Sequence, residues 1–534
     1  MPAFPTDPAS PHAALAAHAA PPSPRRWLAL AVLSTALLLI VIDMTVLYTA
    51  LPILTHDLHA NAAQKLWIVN MYPLVVAGLL PGTGTLGDRF GHRRVFVAGL
   101  ALFGLASVWA AYSPSAASLI AARAALACGA ALMMPATLAL IRLTFADERE
   151  RGLAIGIWAS VASGGAALGP VLGGFLLTRF WWGSVFLINV PVVLLSLALV
   201  FAVIAPDRMR RGSGAGQSAS WDGWSSLLAL LGMLGLTYAI KTAAQLRPDW
   251  AHVALAAVAG LALLGLFVRR QRRIAHPLID FSLLRHHGFA TGVAAALMCS
   301  IAFTGFQLVF SQWLQLVRAL TPLQAGLYML PAALASFLAG PLAGALTGRG
   351  GPRTVVLGGM AACVAGLLGA LALHPGMGWP LIAALALLGG GFGAAVTGAS
   401  SAIMFSAPED KAGMAASIEE VSYELGGLLG VALLGSLMTA AYAASLHLPS
   451  APAYAALPQI YDSLDEARLA AQTLPASLAE PLLQAASAAF GRAFVTVGWA
   501  SAALLAATWL ALLLWRPAAP ATPATPAPRR AQGE

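Results

Sequence analysis

GTLGDRFGHRRV at Gly84–Val95 returns as GALTGRGGPRTV at Gly344–Val355, an offset of 260 residues, and this recurrence decides how the chain is built. The copies share Gly84/Gly344, Leu86/Leu346, Arg89/Arg349, Gly91/Gly351 and Arg93/Arg353. Each is a short basic segment between long apolar runs. Same-sense repeats of this kind imply two halves related by an axis along the membrane normal.

The runs on either side make lipid the solvent. The chain has 534 residues, 59% hydrophobic and only 10% charged. A soluble domain carries about 25% charged residues. Fourteen runs are long enough to span, near 27–51, 67–85, 94–112, 116–140, 152–176, 184–205, 224–242, 250–268, 289–314, 322–346, 354–373, 378–403, 413–440 and 493–515. An even number puts both termini on one side. With that side cytoplasmic, 22 of the 30 Lys and Arg fall inside, 7 fall outside, and Arg123 lies within a span. The bias sets the orientation.

The repeat follows the second span and again the tenth, so two six-helix bundles use twelve spans and the seventh and eighth are inserted. The expected fold is therefore an all-α integral membrane protein with bundles at 27–205 and 289–515. A linker with two extra helices occupies 206–288, and tails at 1–26 and 516–534 are cytoplasmic. RMRRGSGAGQSAS and RRQRR beside the inserted pair read as solvated linkers; the outer segment 441–492, whose DSLDEARLAAQTL suits a short surface helix, reads as a passive spacer, with a lid over the outer mouth the alternative. The absence of alternating ten-residue strands excludes an outer-membrane barrel. Cys128, Cys299 and Cys363 sit in apolar runs and give neither a disulfide framework nor zinc spacing. The arginines form no single face for nucleic acid, and no P-loop or nucleophile elbow suggests an enzyme.

Against this apolar background a few charges stand out. Ala412–Leu437, AGMAASIEEVSYELGGLLGVALLGSL, holds Glu419, Glu420 and Glu424. A carboxylate at the centre of a membrane helix costs roughly 2.5–3.5 kcal/mol, so three need a reason. Glu420 and Glu424 share a face, and Glu419 lies about 100° round. Glu419 and Glu420 could reach headgroup water at the cytoplasmic interface, in which case Glu419→Gln should be mild; Glu424 is deeper. Asp43 is deep in the first span with only Thr45 and Tyr48 as polar neighbours, and Arg123 is its candidate partner. Acids so placed point to proton or cation handling. Trp67, Tyr72, Phe306, Trp313 and Tyr423 are candidate aromatic contacts for a cation.

The loop and the fifth span suggest moving parts. Gly165, Gly169 and Gly173 form a four-residue stripe that lets another helix approach, and Pro170 favours a bend. Gly84 and Gly91 bound a tight turn in which Asp88, beside Arg89, can pair charges or cap a neighbouring helix when the inner side is closed.

These residues also carry a family resemblance. Gly84-x-Leu86-x-Asp88-Arg89-x-Gly91-x-Arg93-Arg94 resembles the loop motif of the major facilitator superfamily, and SGGAALGPVLGG its antiporter motif. Asp43-x-Thr45-Val46 with Ala50-Leu51-Pro52, and WWGSVFLINVP at Trp181–Pro191, are similar to signatures of its fourteen-helix drug:proton antiporters. The three-glutamate helix resembles that of quaternary-ammonium and biocide efflux pumps. The resemblance runs from Trp27 to Trp515. It implies a multi-pass transporter of the bacterial inner membrane, functional as a monomer, with no cofactor or metal. Such a pump exports lipophilic cationic drugs in exchange for protons; because Asn70 stands where some relatives have an acid and the tenth span, Pro322–Leu346, holds no acid, mainly monovalent cargo is expected. An exporter of a neutral or anionic antibiotic, siderophore or metabolite is the alternative. The resemblance also implies coupling roles for Asp43, Arg123 and the three glutamates. The match is partial: Leu126 and Ala127 stand where glutamine and glycine usually follow the arginine, Tyr48 replaces an asparagine, and Asn70 replaces an acid found in some relatives.

Overall fold

A computed structural model describes residues 25–515 apart from 61, 205–221, 244–247, 275–276, 321, 449–453, 455–456 and 462. In chain order the long helices are α1 (Arg26–Asp57), α2 (Ala62–Phe90), α3 (His92–Ala111), α4 (Ala116–Thr144), α5 (Glu148–Arg179), α6 (Ser184–Val203) and α7 (Gly223–Ala243). There follow α8 (Trp250–Gln271), α9 (His287–Leu316), α10 (Pro322–Gly350), α11 (Pro352–Leu373), α12 (Trp379–Ser406), α13 (Ala412–Ser445) and α14 (Ala476–Leu514). Among the described residues thirteen helices are long and apolar enough to cross a membrane. The fifth expected span is absent from those thirteen, yet α5 has 32 residues, length enough to cross. No strand occurs among the described residues.

The repeat is visible in the backbone. Gly91 and Gly351 hold φ of 96° and 79° at the N-caps of α3 and α11, so both turns use a conformation that favours glycine. Packing follows the same eight-helix shift. α1 packs on α5 as α9 does on α13; α3 on α4 as α11 on α12; α2 on α4 as α10 on α12. Across the halves α2 meets α13 and α10 meets α5. One apolar core lies mainly within α1–α6, a second within α9–α14, and a small third joins α7 and α8 with Leu278. The inserted pair leans on α2, where Gly78 lies against Leu230.

Both ends of the described chain lie on one side. Arg26 pairs with Glu150 at 2.7 Å, and at the other terminus Arg353 donates to the carbonyls of Leu512, Leu513 and Trp515. This arginine-rich end also holds Asp88, Arg142 and Lys411.

Two linker readings need correction. RRQRR is not simply solvated: Arg270 pairs with Asp222 at 2.9 Å, and Gln271 joins Ser225 to the Leu278 amide. Asp280, just beyond, is bonded to Lys411 at 2.7 Å, and that bond holds its carboxyl down at about 2. RMRRGSGAGQSAS lies outside the described residues. The outer segment between the helices is shorter than 441–492, because α13 runs on to Ser445 and α14 starts at Ala476, well before 493. Between them a helix, Leu464–Thr473, buries Leu464, Ala467, Ala470 and Ala471 on one stripe. Tyr442 donates to the Ile460 carbonyl, and Tyr454 to that of Leu478.

Candidate functional site

Asp43 is fully enclosed in the first half, and its neighbours come from other helices. Arg123 of α4 donates through Nη1 to Asp43 Oδ2 at 2.7 Å, and Asn189 of α6 donates through Nδ2 to Oδ1 at 3.3 Å. Arg123 Nε reaches the Ile68 carbonyl, and its guanidinium lies 4.7 Å from the Tyr72 ring centroid. Asp43 and Arg123 are 0% and 1% exposed. A buried pair is tolerable only when such extra hydrogen bonds satisfy both partners. Arg123 is thus the partner the sequence suggests. Asn189 is the partner that sequence reasoning missed, although it lies in the quoted WWGSVFLINVP run. Its signal was being an amide within an apolar helix.

The acids of α13 lie on the other half. Glu419 accepts a hydrogen bond from Ser400 of α12 through Oε1, while its buried Oε2 has no hydrogen-bond partner among the described residues. Glu419 is 0% exposed and Glu420 is 5% exposed. Neither reaches headgroup water, so the interfacial reading of this pair is wrong in this conformation; α12 and the surrounding helices cover them. Glu420 lies within electrostatic range of Glu419 and Glu424. Tyr72 lies within electrostatic range of both Asp43 and Glu424. Tyr423 donates to the Val396 carbonyl. Asn70 is half-buried.

At the arginine-rich end the halves are joined. Asp88 accepts hydrogen bonds from the Gly413 and Met414 amides at 2.8 and 3.0 Å, capping the exposed donors of α13. Its nearest basic neighbour is His92, at 3.2 Å, not Arg89, which is exposed over Phe90. Arg93 lies against Phe201. A Cβ at Gly84 would overlap the Gly413 carbonyl; one at Gly156 or Gly344 would overlap Gly340 or Gly152. Ser417 donates to the Leu80 carbonyl, and Arg142 to that of Ala407. Glycines therefore permit backbone contact across the interface, and Asp88 holds it.

The stripe on α5 serves the same end within one half. Gly165 lies against Leu38 and Val41, and a Cβ at Gly169 would overlap Thr45 two residues beyond Asp43. Gly173 is buried, and the Pro170 side chain lies outside the described residues. Gly169→Leu should therefore separate α1 from α5. We expect a fall of roughly 1–3 kcal/mol in stability from overpacking, read as a lower melting temperature of the purified protein in detergent.

A cavity of about 240 Å³ is lined by α9, α10 and α12 with Ala162 of α5. Phe306 lines it. Trp313 is buried further along α9, stacked on Phe494 at 5.2 Å, and Trp67 is exposed against Tyr238.

A family model described as Major Facilitator Superfamily matches residues 33–431. The chain belongs to the major facilitator superfamily. This facilitator is 40% identical over 467 residues to the methyl viologen resistance protein SmvA of Salmonella typhimurium, covering 87% of this chain and 93% of that one. It is also 40% identical over 467 residues to the multidrug efflux pump LfrA of Mycolicibacterium smegmatis, covering 87% and 91%. Among solved structures, a human organic anion transporter, TETRAN, superposes with a TM-score of 0.58 at 16% identity, over 90% of this chain and all of that one. The XylE proton:xylose symporter does so with a TM-score of 0.53 at 13% identity, over 90% and 95%. These two structures bear on the fold alone. It is a multi-pass membrane protein of a transporter superfamily.

Proposed function

We propose that this facilitator exports lipophilic cationic drugs from the bacterial cytoplasm in exchange for protons, with the arginine-rich end cytoplasmic. The observation that carries the reading is the pair of acid sites in the two halves, buried Asp43 with Arg123 and Asn189, and buried Glu419 and Glu420 with half-buried Glu424 on α13, with Tyr72 in electrostatic range of both. A proton arriving at Asp43 neutralises the partner of Arg123. The guanidinium must then find other acceptors, and helices α1 and α4 lose a reason to stay together. Asp88, by capping α13, ties the acid helix to the contact that must break when the cytoplasmic side opens. Gating by Gly84, Asp88, Gly91 and the α5 stripe belongs to this proposal.

The names of the Salmonella and Mycolicibacterium relatives support drug efflux. Methyl viologen is a compact dication, which speaks against a strict preference for monovalent cargo. The adjacent glutamates of α13 could supply a second negative charge. The alternative, export of a neutral or anionic antibiotic, siderophore or metabolite, has one observation in its favour: no charged side chain is among the described residues lining the cavity. A drug panel on cells lacking their main efflux systems separates the readings. We expect resistance to cationic dyes and quaternary ammonium compounds that vanishes with an uncoupler; resistance confined to neutral or anionic compounds contradicts it.

Because Glu419 is enclosed, Glu419→Gln should lower uphill export as strongly as Glu424→Gln. An interfacial acid would show a milder loss. Initial rates of ethidium export from loaded cells compare the two directly.

A further inference from the structure

The cavity described above is unlike the acid sites. Its wall on α9 is Phe303, Phe306, Gln307 and Phe310, an i, i+3, i+4, i+7 stripe that puts three rings on one helix face. Phe392 of α12 stacks on Phe303 with centroids 4.1 Å apart and planes within 10°. Phe306 and Phe310 stack at 5.6 Å and 11°. Among the described lining side chains only Gln307 and Ser336 are polar, and none is charged. Asp43, Glu419, Glu420 and Glu424 are not among them.

Resting on the efflux reading above, we propose that this cavity is a charge-free aromatic seat for the ring system of an amphipathic drug, selecting cargo by stacking and not by ion pairing. Three observations converge on this. Parallel ring pairs present flat faces on which another planar ring can stack offset. Whole-drug sites occupy about 300–1,000 Å³, so about 240 Å³ suits the ring portion and leaves the remainder outside. The ring stripe also continues away from the arginine-rich end: Phe310 stacks on Trp313 at 6.0 Å, and the Arg318 guanidinium covers Trp313 at 5.5 Å. A fixed positive charge therefore occupies that end, and a cationic group gains nothing by lodging there. The seat holds rings; proton exchange occurs elsewhere, at the carboxylates. Drug and proton then need not compete for one carboxylate.

The test uses the full-length protein in proteoliposomes with three probes: ethidium, a planar aromatic cation; cetyltrimethylammonium, an aliphatic cation of equal charge; and acridone, planar and neutral. Phe392→Leu should lower the ratio of kcat/KM for ethidium over cetyltrimethylammonium by roughly 3- to 10-fold, the size of one aromatic pair. Phe392→Tyr should restore the ratio, and acridone should compete with ethidium in the unmodified protein. Should Phe392→Leu not accumulate, Phe303→Leu makes the same measurement from the opposite ring. An unchanged ratio in the leucine variant overturns the proposal, as does failure of acridone to compete. If the unmodified protein moves neither cation, efflux itself is refuted. Ethidium polarisation on purified protein then decides the seat: binding weakened by Phe392→Leu supports it, and binding unaffected overturns it.

Discussion

Replacing Asp43 with asparagine should abolish uphill export while leaving the protein in the membrane. The amide cannot release or take a proton over the transport cycle, and groups that transfer protons contribute about 10²–10⁴-fold where the step depends on them. We expect at least a hundredfold fall in proton-driven ethidium export. Removing a buried charge also strands Arg123, and breaking such a pair costs about 3–5 kcal/mol in the worst case. Here the loss is softened, since Arg123 keeps the Ile68 carbonyl and the Tyr72 ring. Size-exclusion profiles separate misfolding from uncoupling. Uphill export at the unmodified rate from a monodisperse Asp43→Asn protein removes Asp43 from the mechanism.

Gly413→Leu should be nearly as damaging, by a different route. Gly84 and Gly413 touch backbone to backbone, and a Cβ on Gly413 would lie 2.9 Å from Asp88 Oδ1. A leucine leaves α2 and α13 no way to close, because neither backbone can yield. The arginine-rich end should stay apart and export should fall to background. A cysteine at Ser417, which is buried beneath this contact and bonded to Leu80, reports the opening. In inside-out vesicles it should label slowly in the otherwise unmodified protein and quickly beside Gly413→Leu. Equal labelling in both would show that the glycine contact does not gate.

Much of this arrangement was legible in the chain, for physical reasons. The repeat at Gly84 and Gly344 could be read because both turns need the same backbone, and only glycine takes φ near 96° or 79° easily. Asp43 and Arg123 could be paired because an isolated charge in lipid is so costly that each calls for the other. Asn189 was harder, since a lone amide in a membrane helix has many possible partners. Burial of Glu419 was also hidden: position along a helix gives depth, but not whether α12 lies over that face. Leu464–Thr473 could be read only as a short surface helix, and what it docks on depends on α14 starting seventeen residues earlier than its apolar run suggests. The aromatic seat was least visible. Phe306 stood out among the spans, whereas Phe303 and Phe392 meet only after α9 and α12 are packed.

Proton exchange against drug is the central claim, and lumenal pH tests it most directly. Proteoliposomes are loaded with ethidium and a pH dye, with equal pH on both sides, and diluted into drug-free buffer. The account predicts that ethidium leaving down its own gradient draws protons inward, so the lumen acidifies in step with efflux and does so far less with Asp43→Asn. Ethidium leaving through the unmodified protein with no change in lumenal pH would contradict it.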